Sequence, residues 1–397
     1  MDITIYPRKL RGEIAAIPSK SQAHRFLICA AFADKPTQMI CPATNQDIEA
    51  TALCLNALGA DIQRTEQGYS ITPIACTPES AELDCRESGS TLRFMIPICA
   101  ALGVKTVFHM AGRLPYRPLS PMWEEMQRMG CKLSRPTENT ILCAGKLQSG
   151  TYQIDGGVSS QFITGLMFAL SLLPGDNRLE VKGNIESEPY IHMTKQALEI
   201  FGVKTDGYRF YNCKFSSPGI LTVEGDWSNG AFFLAAKAMG NDITVTGLSP
   251  DSKQGDQAAA HLVEDLNNNI TVCGKDIPDL IPILAVTAGA KSGAVFQNIG
   301  RLRLKESDRV ASVAQMLNAL GAKVQIDGDA LTVYPAQYGQ CVIDSQNDHR
   351  IAMSAAIAST VATGPVTILN AQCVSKSYPD FWSEFTRLGG YYEQYIR

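Results

Sequence analysis

Apolar and polar positions along the chain alternate on two scales. On the longer one, six polar segments rich in Ser, Gly or Asp each open into an apolar run of helical length. The openings are PSKSQAHR (18 to 25), ESGSTLRF (87 to 94), GVSSQFITG (157 to 165), EGDWSNGAFF (224 to 233), IPDLIPIL (277 to 284) and QNDHRIAM (346 to 353). With Ser21, Ser90, Ser159, Ser228, Leu280 and Asp348 as markers, successive differences in residue number are 69, 69, 69, 52 and 68. About forty residues after each marker an amphipathic helix is expected, and in five units it closes on a glycine: Gly59, Gly130, Gly202, Gly321 and Gly389. The fourth copy is weak, fading into LNNNITV near Asn268. A fixed period of this length marks six copies of one supersecondary unit.

On the shorter scale, alternating stretches such as TQMICPA (37 to 43), TVFHMAG (106 to 112) and LTVYPA (331 to 336) read as strands around these helices. Each unit is therefore strand, helix, strand, helix, strand, with one further strand possible. The first helix of a unit, for example FITGLMFALSLL (162 to 173), has little polar face and must be buried almost all round. Three such helices packed in parallel would bring their N-termini together. Each N-terminus offers unpaired N–H groups and about half a positive charge, so the cluster favours an anion.

Ser, Gly and Asp at these openings are explained by capping alone. The cations are not: Lys20, Arg25, Arg93, His349 and Arg350 stand at helix starts, where each costs about 0.3–1 kcal/mol if unpaired. Bound anions account for them.

Composition sets limits on this picture. At 397 residues, 45% apolar and 19% charged, the chain suits a globular protein of two domains, three units each. No run approaches a membrane span and the start, MDITIYPRKL, lacks a signal peptide's apolar stretch, so a cytoplasmic protein without membrane attachment is expected. A net charge of −4 with no basic run argues against nucleic acid. The twelve cysteines are scattered without zinc-type spacing and read as reduced structural thiols; no metal is expected.

The segments PSKSQAHR, GVSSQF, RLRLKESDR (301 to 309), QNDHR and SKSYPDFW (375 to 382), in this order, resemble the 5-enolpyruvylshikimate-3-phosphate synthase family from Lys20 to Lys376. The resemblance implies an α/β fold of two domains, an inside-out α/β barrel of six repeated β/α units. The upper domain would be 18–223 and the lower 1–17 with 224–397, with the active site in the cleft between them. It also implies enolpyruvyl transfer from phosphoenolpyruvate to the 5-hydroxyl of shikimate 3-phosphate, phosphate leaving. Glyphosate would compete at the phosphoenolpyruvate site. The two small molecules would be the only partners of a monomer, and no cofactor is expected.

Residue by residue, the resemblance gives phosphoenolpyruvate to Lys20, Arg117, Arg309, Arg350 and Lys376, with Gln161 and the backbone at Gly89 assisting. Ser21 and Arg25 would take the shikimate carboxylate, and Ser159, Ser160 and Ser187 the 3-phosphate. Asp279 and Lys305 would hold the ring hydroxyls, Asp279 acting on the 5-hydroxyl. Glu306, with Lys20 or Lys305, would handle the proton at the methylene carbon, the direction of each transfer being open.

The chain departs from the pattern in three places. The fourth unit lacks a hairpin's length just before Asp279, Arg301 stands where some members have Asn, and Glu87 stands where many do. The related UDP-N-acetylglucosamine enolpyruvyl transferases pair their first lysine with Asn and carry a loop cysteine. Here Ser21 follows Lys20 and AGRLPYRPLSPM (111 to 122) has no cysteine. A scaffold that only binds anions would be expected to have drifted at Asp279 or Glu306, and both are present.

Overall fold

The computed structural model describes residues 1–211 and 214–395. It divides into two compact units, Pro18–Val223 and Met1–Ile17 with Glu224–Arg397. The first holds helices α1 (Lys20–Ala31), α2 (Gln46–Ala57), α3 (Gly89–Leu102), α4 (Met122–Arg128), α5 (Ser160–Leu172) and α6 (Glu188–Ile200). The second holds α7 (Trp227–Ala238), α8 (Ala259–Asp265), α9 (Ile281–Ala290), α10 (Arg309–Ala319), α11 (His349–Ser359) and α12 (Phe381–Arg387). The odd-numbered helices are the apolar ones and form the centre of each unit. In α5, eleven of the thirteen residues are buried, and each fully buried Leu, Ile, Phe or Met contributes about 1.5–3 kcal/mol. Gly165 in α5 has no room for a side chain: a Cβ there would lie 2.2 Å from the Arg93 carbonyl of α3, so its absence lets the two helices meet at backbone distance.

Outside the helices lie small sheets with one recurring plan. Strand 80–84 pairs in parallel with 105–109, which pairs antiparallel with 140–145, the last making a hairpin with 131–137. Five sheets follow this order. The exception is the fourth unit, where 242–246 and 11–15 form a sheet of two strands among the described residues. That is the hairpin whose length the spacing shows to be missing.

Helix ends follow local chemistry. The glycines that close the amphipathic helices, Gly59, Gly130, Gly202, Gly321 and Gly389, all have positive φ, between 75° and 105°, the left-handed geometry of a helix end. The fourth copy, α8, ends at Leu266 without one. Ser88, Ser159, Asp226 and Asp348 accept from backbone N–H groups as N-caps. Three of the amphipathic helices are only seven residues long, too short to be stable without tertiary packing. The eleven described cysteines are free; Cys213 lies outside the described residues. Among those residues no helix is long and apolar enough to cross a membrane.

Candidate active site

In unit 18–223 the N-terminal two turns of α1, α3 and α5 touch through side chains. Arg93 of α3 donates to Gln161 Oε1 of α5 at 3.0 Å, and Gln161 Nε2 donates to Ser90 Oγ at 2.9 Å. Arg25 of α1 reaches Thr164 of α5 at 3.4 Å and Thr194 of α6 at 2.9 Å. The three positive helix ends therefore lie together, as the burial argument requires. Ser159 caps α5 and Ser160 is its first residue. Ser187 caps α6 in the left-handed region, φ 54° and ψ 44°, a conformation uncommon for a residue with a side chain.

Lys20, the first residue of α1, pairs with Asp47 of α2 at 3.0 Å. Ser21 follows it in the same turn, its carbonyl accepting from Arg25 Nη1 at 2.6 Å. Arg25 is 3% exposed, and four of its five N–H groups end on the protein, at Ser21, Thr164, Tyr190 and Thr194. Burial pulls its guanidinium down to about 10. Gly89 is overhung by two guanidiniums. A Cβ there would lie 2.6 Å from both Arg117 Nη1 and Arg93 Nη1. Arg117 leaves the short turn Leu114–Tyr116 on extended backbone, φ −77° and ψ 138°. Arg93 is thus part of this cluster, tied to Gln161 and to the Pro118 carbonyl. Its sequence signal was a cation at a helix start, without a role attached.

The second unit gathers carboxylates and cations around Arg309. This guanidinium, 1% exposed, donates to Asp279 at 2.7 Å, Glu306 at 2.7 Å and Asp348 at 2.8 Å. Against its own burial, these carboxylates hold it above its ordinary range. Asp348 also caps α11 and accepts from Ser307. Burial pushes the Asp348 carboxyl up, and Arg309 more than offsets that, leaving it below the usual range. Asp279, ahead of α9, has a second set of partners: Arg350 Nη2 at 3.1 Å on its carboxylate, Arg350 Nη1 at 3.2 Å on its carbonyl, and Lys305 at 3.7 Å.

Lys305 is pulled down to about 8, chiefly by burial, with Arg309 and Arg301 adding to it and Asp279 and Glu306 opposing. Lys376, 8% exposed, donates to the Asn347 carbonyl at 2.9 Å. The segment RLRLKESDR is a turn over Gly300–Leu304 and a loop, with α10 starting at Arg309 behind its Asp308 cap. Glu306 therefore precedes the helix. Arg301 donates to the Lys275 carbonyl at 3.5 Å. Two residues escaped the sequence reading: Asp348 was visible only as a cap, and Asp256, beside Asp279 and Arg350, gave no signal.

Both clusters are suited to polyanions: helix ends and cations in one, and in the other cations that can exchange a carboxylate partner for a ligand's negative charge. Among the described residues no three His, Cys, Asp or Glu are grouped to hold a metal ion. Residues 5–385 match the family model for EPSP synthase (3-phosphoshikimate 1-carboxyvinyltransferase). The chain is 37% identical to a 3-phosphoshikimate 1-carboxyvinyltransferase of Clostridium kluyveri, over 98% of this chain and 97% of the relative. A protein of the same name from Clostridium beijerinckii is 36% identical over 99% of each. The fold superimposes on EPSP synthase from Acinetobacter baumannii with a TM-score of 0.80 and 21% identity, covering 99% of this chain and all of that one.

Proposed function

The chain belongs to the EPSP synthase family of 3-phosphoshikimate 1-carboxyvinyltransferases, and we propose how its two clusters share that family's reaction. The enolpyruvyl group of phosphoenolpyruvate passes to the 5-hydroxyl of shikimate 3-phosphate, and phosphate is released. The substrates together bring roughly six negative charges. Two of them about 4 Å apart repel by about 4 kcal/mol at an effective dielectric of 20, so matched cations are required.

In unit 18–223, Ser159, Ser160 and Ser187 serve the 3-phosphate, with the positive ends of α5 and α6 behind them. Ser21 and the second N–H on the Arg25 nitrogen that holds Ser21, which has no partner among the described residues, serve the shikimate carboxylate. Lys20, Arg117, Gln161 and the Gly89 backbone serve phosphoenolpyruvate, together with Arg350, Lys376 and Arg309 of the second unit. Arginine suits the paired contacts to phosphate and carboxylate. Arg309 also fixes Asp279 and Glu306 with respect to each other.

Addition needs a base at the 5-hydroxyl and a proton at the methylene carbon; elimination needs the reverse at the new methyl group. Asp279 is the base. Three cations hold its carboxylate, and the substrate's anions free it for the 5-hydroxyl by drawing Arg350 and Lys305 away. Glu306, with Lys305 or Lys20, handles the methylene proton, and a lysine near 8 exchanges protons readily at neutral pH. The same reading makes the enzyme a cytoplasmic monomer that works without metal, cofactor or nucleic acid.

The observation that carries this assignment is the Asp279 carboxylate bridging Arg309 and Arg350, with Glu306 on the same Arg309. Phosphate release from phosphoenolpyruvate tests it: release with shikimate 3-phosphate and none with UDP-N-acetylglucosamine is expected. The opposite preference would overturn it.

A further inference from the structure

Asp256 has no part in the roles above. It lies in the turn Gly255–Ala258 that leads into α8, and it is 2% exposed. Its Oδ2 accepts a hydrogen bond from Ser228 Oγ in the first turn of α7. Its Oδ1 is buried and has no hydrogen-bond partner among the described residues. Three neighbouring elements bring charge to it: Asp226 at the cap of α7, Asp279 ahead of α9 and Arg350 in α11. Two of these charges are negative. The positive one, Arg350, donates to Asp279 through both of its terminal nitrogens.

An ionised carboxylate with an empty buried oxygen is poorly served in such a place. Burial, and after it Asp279, push the Asp256 carboxyl up to about 7, while Arg350 and the Ser228 hydrogen bond act against the rise. At neutral pH the group is therefore divided between its two forms. The charge of Arg350 that opposes the rise belongs to the guanidinium assigned above to phosphoenolpyruvate.

We propose that Asp256 is a positioning residue that takes up a proton when phosphoenolpyruvate engages Arg350, and so removes a second carboxylate from competition for that guanidinium. The inference rests on the assignment of Arg350 above. The proton passes from solvent to an Asp256 oxygen, no substrate bond changes, and the proton returns when the anion leaves. Two changes drive it: Arg350 turns its charge to the ligand, and the ligand adds negative charge nearby. Both favour the neutral carboxyl. By linkage, a ligand that raises a group's pKa binds best where that group is protonated. Affinity for phosphoenolpyruvate should therefore fall as pH rises above the ligand-free pKa of Asp256.

Calorimetry on the full chain tests this, with phosphoenolpyruvate titrated into enzyme saturated with 5-deoxyshikimate 3-phosphate, which has no nucleophile. Heats in two buffers of different ionisation enthalpy give the protons exchanged. At pH 7 the unmodified protein should take up about half a proton per site more than Asp256→Asn. Between pH 7 and 8.5 its affinity should fall by about tenfold relative to that variant. Ser228→Ala keeps the carboxyl but removes a hydrogen bond that opposes its protonation, so it should also take up fewer protons at pH 7. Equal uptake and parallel pH curves in all three proteins would overturn the proposal. Absence of any phosphoenolpyruvate heat in the unmodified protein would instead bring down the Arg350 assignment, and this proposal with it.

Discussion

The Asp279 carboxylate answers to Arg309, Arg350 and Lys305 at once. In Asp279→Asn the amide keeps one acceptor and loses both the base and a competitor for those cations. Steady-state kinetics should show kcat lower by about 10²-fold or more, with no rise in the KM for phosphoenolpyruvate. A raised KM with kcat preserved would mean that Asp279 only arranges the cations. At Gly89 the effect should be steric. An added methyl meets two guanidiniums at 2.6 Å, so Gly89→Ala should raise the KM for phosphoenolpyruvate and weaken glyphosate inhibition together. Unchanged inhibition would place the loop away from that ligand. The residue types of both clusters were legible in the sequence, but their pairings were not. Nothing in the order of residues 301 to 309 tells that Arg309 binds three carboxylates, because Asp279 and Asp348 come from other units. Asp256 gave no signal for the same reason, its neighbours being assembled only by folding.

Between the helices of unit 18–223 runs a buried polar chain that the apolar pattern conceals. His24 of α1 pairs with Thr51 of α2 at 2.7 Å, Thr51 with Thr91 of α3 at 2.7 Å, and Thr91 donates to Ser88 at 2.8 Å. It ties α1 and α2 to the cap that precedes Gly89. Burial first, then Lys20 and Arg25, hold the His24 imidazole well below its ordinary range. The folded state therefore binds this proton less well than the unfolded state. The stability it confers is complete above about pH 6.5 and is lost as pH falls below that, by about 1.4 kcal/mol per unit. Urea unfolding at pH 7 and 5.5 should show this slope, and His24→Asn should flatten it by one proton. Equal slopes would exclude His24 as the acid-sensitive group. Much at this scale was legible. The six apolar helices, the five closing glycines and the lost hairpin all follow from spacing, since each is fixed by local backbone geometry or by repetition. The shortness of α4, α8 and α12 was not, because their ends depend on the elements they pack on.

Among the described residues each unit has its own hydrophobic core. Unfolding should therefore depart from a single two-state transition. Leu166 of α5 is completely buried, and Leu166→Ala should cost about 2–5 kcal/mol. Scanning calorimetry should show that loss in the transition of unit 18–223 alone; a shift of the whole profile would mean that the cores melt together. The last sheet bears on how the molecule is made. Strand 2–6 lies between 366–369 and 391–395, with Ile3 opposite both Ile368 and Gln394. During synthesis the first unit has all its strands once residue 222 has emerged, whereas residues 2–6 must wait for partners some 360 positions later. At about 5–20 residues per second that wait is roughly 20–70 s. For that time a strand whose Ile3 and Ile5 are destined for the core is without its sheet, in the later part of it beside a finished first unit, and the second unit closes only once residues 391–395 have emerged.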